Sequence, residues 1–434
     1  MQKIKRNSGI LLHITSLPGE DGIGTLGKEA MRFIDFLEKT GQKLWQILPL
    51  GPVGYGNSPY QCYSAFAGNP LLIDLEYVAK EGFLTPEELE VKPAFALYRT
   101  DFIKVEEWKF PLLKKAFGNF KKTGRLQSEY DIFLNKHQWW LNDYALFMAL
   151  KKEFKNDAWT RWDKNFKFRE KDTLEKYTVL LEEEIEFRKF MQFLFFRQWS
   201  GLKEYANSKN VKILGDLPLY VSGDSVDVWT NAELFRLDEN LDQLEMGGVP
   251  PDYFSKTGQL WGNPVFNWDL IEEKDFHWWL ARLHFNLNMF DLVRIDHFRG
   301  LESYWSVPAG ETTAIKGKWI PAKGFELLKK FKEQVVHLPL VAEDLGMITK
   351  EVLQLRDEFK LPGMKVLQFA FGSDSSNHNL PHNYQPSFIA YTGTHDNNTT
   401  LGWLRSLIGA EKKMVRKYLG TTGKKAVKQA IELL

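Results

Sequence analysis

The sequence contains very little cysteine, no excess of charge of either sign and no long hydrophobic run. Cys62 is the only cysteine among 434 residues, which excludes an intrachain disulfide and favours a reducing compartment. The 57 basic and 56 acidic residues leave a net charge of +1, so composition gives no electrostatic basis for binding nucleic acid or an anionic membrane. No segment approaches the roughly 20 apolar residues of a membrane span, and no signal-peptide cleavage site follows the basic start. We therefore predict a soluble, cytoplasmic protein.

The signature motifs of several enzyme classes are also missing. The chain has no Gly-x-Ser-x-Gly nucleophile elbow and no dense histidine cluster of the His-x-His kind. His378 and His382 have helical i, i+4 spacing, but the Asn and Pro residues around them favour a loop. Gly423 and the two lysines after it lack the upstream glycine of a phosphate-binding loop. We predict that the protein uses neither a metal nor a cofactor.

Aromatic residues, in contrast, are abundant. The chain has 32 Phe, 15 Tyr and 15 Trp, which together make 14% of its residues. Part of this excess must fill a core, and flat rings can also stack against the apolar faces of sugars. Trp139, Trp140, Trp278 and Trp279 lie in helical patterns, so we predict that these four side chains belong to the core.

Strand-like apolar runs alternate with helical patterns, which is typical of a parallel α/β fold. We predict a (β/α)8 TIM barrel with large insertions, as one catalytic domain over residues 1–434. Charged helical sequence predicts a helical insertion over 85–205, between strands two and three. Sequence rich in Gly, Pro, Asn and aromatics predicts a loop-rich insertion over 220–275 that covers the active site, between strands three and four. The predicted strands are 9–14, 43–48, 211–216, 291–295, 338–342, 365–370 and 387–391.

The chain ends within an amphipathic helical pattern. Val427, Ile431 and Leu434 mark one face of this helix, and no Gly or Asn cap follows them. An eight-stranded barrel needs one more strand to close against the first. We therefore expect a barrel without its eighth strand and helix, that is, a C-terminally incomplete sequence.

Acidic residues follow three of the predicted strands at their carboxyl ends. These are Asp296, Glu343 and Asp396, and they lie on separate strands. A barrel enzyme gathers its site from residues in such positions at one rim. Three carboxylates without a metal motif suggest sugar chemistry, with a nucleophile, an acid/base and a residue that grips ring hydroxyls.

Two of these three short sequences at the strand ends (strings, below) also have ordinary structural explanations. Arg294 and Asp296 share one face of a strand, so the guanidinium keeps the carboxylate ionised, but such a pair is also a common structural ion pair. A Glu in a sheltered pocket near another carboxylate has a raised pKa, which would suit Glu343 to the role of proton donor. Alternatively, Glu343 or Asp344 caps the helix that begins near Thr349.

The third string has an alternative of the same kind. His395 and Asp396 could grip neighbouring hydroxyls of a distorted sugar, or Asp396 could form an Asx turn with Asn397 and Asn398. The turn explains the aspartate but leaves His395 without a use. Because all three strings occur in order at successive strand ends, we favour one shared site.

Two loops have the composition of sugar contacts. One is 54–61, which includes Tyr60, and the other is 247–264, which includes Trp261. Glycines and prolines hold the backbone there, while the aromatic side chains could form stacking platforms. The alternative is that these rings fold down as small satellite cores.

Together these residues resemble the 4-α-glucanotransferases of the amylomaltase type (glycoside hydrolase family 77), relatives of the α-amylases. The resemblance covers essentially the whole chain. Its most discriminating part is Gly248-Val249-Pro250-Pro251-Asp252-Tyr253-Phe254-Ser255 with Trp261-Gly262-Asn263-Pro264, because ordinary amylases lack that loop. The resemblance implies that Asp296 is the nucleophile, Glu343 the acid/base and Asp396 the transition-state stabiliser. It also implies supporting contacts from Arg294 and His395.

The same resemblance implies where substrate binds. Asp216 would support the sugar-binding floor, and Tyr60 would lie on an outer glucan-binding groove. The residues implied on the loop that covers the cleft are Asp252, Tyr253, Phe254 and Trp261. The implied activity is retaining transfer of α-1,4-glucan segments to the 4-hydroxyl of an acceptor maltooligosaccharide or glucose, through a covalent glucosyl-enzyme. An α-glucan hydrolase and a non-catalytic glucan-binding relative are the alternatives.

Overall fold

The computed structural model of the protein describes residues 6–252 and 255–434, and short strands separated by helices form its framework. The strands are β1 (Gly9–Leu11), β2 (Leu44–Gln46), β3 (Lys212–Leu217), β4 (Glu245–Val249), β5 (Gln259–Pro264), β6 (Leu292–Ile295), β7 (Ser303–Pro308), β8 (Lys318–Pro321), β9 (Leu340–Ala342), β10 (Gly363–Val366) and β11 (Phe388–Tyr391). The helices are α1 (Lys28–Lys39), α2 (Leu75–Lys80), α3 (Pro86–Glu90), α4 (Phe102–Thr123), α5 (Gln127–Glu153), α6 (Lys164–Lys167), α7 (Lys171–Leu180), α8 (Glu182–Ser208), α9 (Val226–Thr230), α10 (Trp268–Glu273), α11 (His277–Met289), α12 (Gly324–Gln334), α13 (Lys350–Glu358), α14 (Thr400–Ser406), α15 (Gly409–Leu419) and α16 (Gly423–Leu433).

Five of the strands form one parallel sheet in the order β1-β2-β3-β6-β9, and β10 pairs in parallel with β11. In the register of the sheet, Asp216 is opposite Arg294, which is in turn opposite Val341. The backbone N–H of Ala342 donates to the carbonyl of Pro362 at 2.8 Å, so the β10–β11 pair begins beside β9. Each of the seven predicted strands is thus present in a parallel pairing, which confirms the α/β class.

The predicted bounds of the sixth strand are wrong. The apolar run at 365–370 predicts a strand there, whereas β10 ends at Val366 and a 3-10 turn covers Leu367–Phe369. The N–H of Val366 donates to the side-chain oxygen of Asn379 at 3.1 Å, so a side chain ends the strand. Leu367 and Ala370 are buried although they lie beyond it. The apolar run at this position therefore indicates which residues are buried, but it does not indicate where the strand ends.

A second sheet is antiparallel and has the order β5-β4-β7-β8. It includes two strands of the segment predicted as loop-rich, over 220–275, and that segment also forms α9 and α10. Glycine in β4 favoured a loop in the sequence because glycine is depleted in strands. In the structure, a Cβ on Gly248 would lie 2.4 Å from the carbonyl oxygen of Gln259, so the close pairing of β4 and β5 requires glycine at this position.

Between β2 and β3 the chain is mainly helical, from α2 to α8. Aromatic side chains join α5 to α8, for example Tyr130 and Phe133 against Phe193. Phe190 of α8 and Ile213 of β3 belong to one continuous hydrophobic core, so these helices pack directly onto the parallel strands. Throughout the ranges 6–252 and 255–434, no helix is both long enough and apolar enough to cross a membrane.

The four tryptophans predicted in the core differ in their exposure. Trp140 and Trp279 are buried and Trp278 is half-buried, but Trp139 is 51% exposed. The core prediction is therefore wrong for Trp139. Ile132 precedes it by two helical turns and is also exposed, so both side chains lie on the solvent face of α5.

Candidate active site

One buried guanidinium joins two carboxylates at the carboxyl ends of β3 and β6. Nη1 of Arg294 lies 2.7 Å from both carboxylate oxygens of Asp216, and Nη2 lies 2.8 Å from Oδ1 of Asp296. The side chains of Asp216 and Arg294 are almost completely buried. Burial alone would lower the pKa of Arg294, but the charges of Asp216 and Asp296 raise it above its usual value. The ion pair that the sequence left open is thus present, as part of a larger polar cluster.

Glu343, at the end of β9, accepts two backbone hydrogen bonds at this cluster. The N–H of His297 donates to Oε2 at 2.8 Å, and the N–H of Leu345 donates to Oε1 at 3.0 Å. Burial raises the pKa of Glu343 to about 8; the Arg294 guanidinium opposes this shift and the charge of Asp296 adds to it. Glu343 is therefore mainly protonated at neutral pH and can donate a proton.

The neighbouring acid, Asp344, is engaged in contacts that hold secondary-structure elements together. Its Oδ2 accepts from Nη1 of Arg356 at 2.5 Å, and its Oδ1 accepts from the N–H of Met364 at 2.7 Å. Asp344 therefore joins the start of β10 to helix α13. Glu343 and Asp344 are both engaged away from the N-terminus of α13, so the helix-cap alternative is wrong.

Tyr60 connects this cluster to the loop after β11. Its hydroxyl lies 2.7 Å from Oδ2 of Asp216, to which it donates, and 2.7 Å from Nε2 of His395. The two rings are stacked, with centroids 5.5 Å apart. Tyr60 thus belongs to the carboxylate cluster, and the prediction that places it on an outer groove is wrong.

His395 in turn lies next to Asp396, whose Oδ1 is 3.4 Å from Nε2 of His395. The loop is closed by Asn397, whose side-chain oxygen accepts from the N–H of Thr394, three residues earlier, at 2.9 Å. This turn differs from the Asx turn that the sequence suggested for Asp396. The carboxylate of Asp396 is therefore not consumed by the turn, and it is 70% exposed. A chain of contacts runs from Asp296 through Arg294 and Asp216 to Tyr60, and on to His395 and Asp396. Glu343 joins the cluster through the backbone N–H of His297, the residue after Asp296.

Of the predicted covering loop, Trp261 lies beside the cluster. Its ring is edge-on to His297, the residue after Asp296, with centroids 4.8 Å apart. The loop with Tyr60 reaches the same region, since Nε2 of Gln61 donates to the side chain of Asn263 at 3.1 Å. Trp261 is half-buried and also contacts Tyr220, so the satellite-core alternative holds for part of its surface.

The other residues of that loop have different outcomes. Oδ1 of Asp252 accepts from the N–H of Ser255 at 2.7 Å, so this carboxylate shapes the loop itself. Tyr253 and Phe254 lie outside the described residues.

Two histidines at the cluster were not proposed from the sequence. His297 gives its backbone N–H to Glu343 from a left-handed conformation, with φ of 51°. His13 follows β1, and burial lowers its pKa to about 4 with a smaller contribution from His395, which makes it a neutral side chain. The signal for His297 was present in its position directly after a strand-end acid. A different signal was present for His13, because a polar side chain interrupts an apolar run at that position.

Comparison with known proteins gives a consistent result. The family model for 4-alpha-glucanotransferases of glycoside hydrolase family 77 matches residues 12–433. A 4-alpha-glucanotransferase from Synechocystis is 51% identical over 421 residues, covering 96% of this chain and 83% of the relative. The 4-alpha-glucanotransferase from Thermus thermophilus is 48% identical, covering 97% of this chain and 84% of the relative.

The similarity extends to solved structures. An amylomaltase from Streptococcus agalactiae, solved in complex with acarbose, has a TM-score of 0.96 and 43% identity, covering 99% of this chain and 88% of that one. The amylomaltase from Corynebacterium glutamicum, at 19% identity, has a TM-score of 0.75 over 99% of this chain and 60% of its own, and supports the fold alone. By the family model and the identity to its relatives, the chain belongs to the 4-alpha-glucanotransferases of glycoside hydrolase family 77.

Proposed function

We propose that the protein is a retaining 4-α-glucanotransferase that moves α-1,4-glucan segments from a donor glucan to the 4-hydroxyl of an acceptor maltooligosaccharide or glucose. One observation carries the mechanism. Two carboxyl groups share a polar cluster in opposite electrostatic settings, because Asp296 forms an ion pair with Arg294 while burial keeps Glu343 protonated. A nucleophile and a proton donor need this difference.

In the first step, an Asp296 oxygen attacks the anomeric carbon and the glycosidic carbon–oxygen bond breaks. Glu343 gives its proton to the departing oxygen, so the donor leaves a β-linked glucosyl ester on Asp296. In the second step, Glu343 takes the proton of the acceptor 4-hydroxyl, the acceptor oxygen attacks the same carbon, and the ester bond breaks. Retention requires that the two carboxyl groups approach to roughly 5–5.5 Å.

The remaining polar residues would bind the sugar at the reacting position. The exposed carboxylate of Asp396 is available to neighbouring hydroxyls, and Tyr60 and His395 form a stacked pair beside it. Asp216 would act through Arg294 and Tyr60, since both contact its buried carboxylate. We assign Asp396 to stabilisation of the transition state and the other three to sugar binding.

We also propose that the 247–264 loop, with Asp252, Tyr253, Phe254 and Trp261, favours transfer over hydrolysis by excluding water from the glucosyl-enzyme. The contact of Trp261 with His297 supports this, because His297 directly follows Asp296 in the chain. Shortening the loop should raise the ratio of hydrolysis to transfer. An unchanged ratio would contradict the proposed role.

The parallel strands suggest the wall of a TIM barrel. The hydroxyl of Tyr391 in β11 donates to the side chain of Gln46 in β2 at 2.7 Å, although these strands are not neighbours in sheet order. We infer that the strands curve around a common axis. Within this domain we regard 85–205 as a helical insertion and 220–275 as the insertion that covers the site.

The single free Cys62 supports a cytoplasmic location.

The test is a chromatogram of products from maltotriose. A transferase forms glucose together with chains longer than maltotriose, an α-glucan hydrolase forms only shorter products, and a non-catalytic relative forms none. Asp296→Asn should abolish all products. Glu358→Gln, at an exposed position on α13, serves as the matched control and should keep the full product pattern.

A further inference from the structure

A second cavity lies away from the carboxylate cluster, among helices α5, α9, α10 and α11. Its volume is about 430 Å³, within the roughly 300–1,000 Å³ range of small-molecule sites. Trp139 and Asp143 of α5 line it from one side, and Trp278 of α11 and Lys274 line it from another. We call it the Trp139 cavity. Asp296, Glu343 and Asp396 are not part of its lining.

The floor of the Trp139 cavity is aromatic and fixed in place. Phe66 is edge-on to the ring of Trp139, with centroids 4.8 Å apart, and edge-on to the ring of Trp278, with centroids 6.2 Å apart. One phenyl ring therefore positions both indoles. Trp139 nevertheless remains 51% exposed, which leaves apolar surface for a ligand to cover.

Four of the charged side chains that line the Trp139 cavity form two ion pairs. Arg169 and Asp143 form an ion pair at 2.7 Å, and Lys274 and Glu233 form another at 2.8 Å. The lining also includes Asp227, whose buried carboxylate is already engaged, because it accepts from the backbone N–H of Ala65 at 2.7 Å. The exposed charges of the site therefore favour neither an anion nor a cation. Arg169 lines the cavity, and within the described residues its buried Nη1 has no hydrogen-bond acceptor. A small movement of this side chain would offer a donor to an uncharged ligand oxygen.

A neutral ligand with many hydroxyls and flat apolar faces fits these features. We propose that the Trp139 cavity binds a second stretch of α-1,4-glucan, so that a long glucan is held at two places. This inference rests on the proposed function, because it takes the ligand class from it. Phe66 is six residues from Tyr60, so their Cα atoms are at most about 22 Å apart. One long glucan can reach both sites, and binding at the second raises its effective concentration at the first.

The test compares a short and a long substrate in Trp139→Ala. Transfer on maltotriose should remain unchanged, because this substrate is too short to use both sites. The apparent KM for amylose should rise roughly five-fold, the loss expected for one aromatic stacking contact. The matched control is Phe36→Ala on α1, which removes a ring that is 49% exposed outside the cavity and should change neither value.

A binding measurement on a variant without activity tests the second site directly. Calorimetric titration of Glu343→Gln with maltoheptaose should show two binding events, and adding Trp139→Ala should remove one. A single event in Glu343→Gln, or an amylose KM in Trp139→Ala equal to that of Phe36→Ala, would overturn the second site. If Trp139→Ala does not fold, Asp143→Asn takes its place; it weakens the ion pair that holds Arg169 at the cavity and should also raise the KM for amylose while leaving maltotriose transfer unchanged.

The two proposals fail separately. Absence of transfer on maltotriose by the unaltered protein would remove the proposed function. Normal maltotriose transfer with no effect of Trp139→Ala on amylose would remove only the second site.

Discussion

Replacing Glu343 with glutamine is expected to abolish transfer and, at neutral pH, to make the protein more stable. The native Glu343 lowers the stability of the folded protein at neutral pH, because burial favours its neutral form, whereas in the unfolded chain it ionises. Its pKa is about 8 in the folded protein against 4.5 for a glutamate in water. Between these values the unfolded state binds fewer protons than the folded state, so stability from this group falls as the pH rises from 4.5 to 8.

The magnitude follows from the pKa difference. One pKa unit corresponds to 1.36 kcal/mol, so ionisation of the unfolded state alone lowers the stability by about 3 kcal/mol between pH 4.5 and 7. Glutamine has no such dependence. It keeps one acceptor oxygen for the N–H groups of His297 and Leu345 and loses the other, at a cost of about 1 kcal/mol that does not vary with pH. The pH dependence of the stability difference between the two proteins therefore reports only the ionisation of Glu343.

Thermal unfolding measures the effect. For a chain of 434 residues the unfolding entropy is about 0.9 kcal/mol/K, so the Tm of Glu343→Gln relative to the unaltered protein should rise by about 3 °C from pH 4.5 to pH 7. Glu358→Gln, on an exposed surface, is the control and should show no such trend. A Tm difference that stays constant over this range would refute the assignment of a buried, protonated Glu343.

Three further outcomes follow from the same cluster. Asp296→Asn should reduce transfer from maltotriose below detection while far-UV circular dichroism stays unchanged; substantial residual turnover would remove Asp296 as nucleophile. Arg294→Lys should lower the stability by about 3 kcal/mol in a denaturant titration, because one ammonium cannot replace the guanidinium that contacts both Asp216 and Asp296; a change below 1 kcal/mol would show that the lysine does replace it. In the unaltered protein, kcat/KM for the donor glucan should fall above about pH 8 as Glu343 loses its proton; a profile flat to pH 9.5 would contradict the acid role.

The position of the acids could be predicted because it depends on local sequence. An apolar run that ends in a carboxylate shows where a strand ends, and parallel strands bring these ends to one edge of a sheet. The register confirms this placement for Arg294 opposite Asp216. The catalytic roles of Asp296, Glu343 and Asp396 stay predictions, since they depend on a reaction and not on a fold.

The place of Tyr60 could not be read from its own segment. In the sequence it lies in a glycine-rich loop, which allows many directions. In the structure, the N–H of Gly54 donates to the carbonyl of Gln61 at 2.8 Å, and Val53 pairs with Cys62, so the loop folds back and turns Tyr60 towards Asp216. A contact between residues 156 positions apart decided the outcome.

Trp139 shows the same limit for a helix. Its segment is apolar around much of its circumference, and periodicity alone does not say which face meets a partner. Phe66, from a loop more than 70 residues earlier, decides it by supporting one edge of the indole and leaving the rest exposed. The exposed Trp139 is therefore a property of the assembled fold, as is the cavity that it lines.

His297 shows how the site is held together at a local cost. Its left-handed backbone, at φ of 51° and ψ of 48°, costs on the order of 1–3 kcal/mol for a residue with a Cβ. Glycine would avoid most of this cost and would still present the N–H to Glu343, but it would lose the ring on which Trp261 packs. The same residue thus supports the proton donor through its backbone and the covering loop through its side chain. Because His297 directly follows Asp296 in the chain, these two contacts bring Glu343 and the covering loop next to the proposed nucleophile.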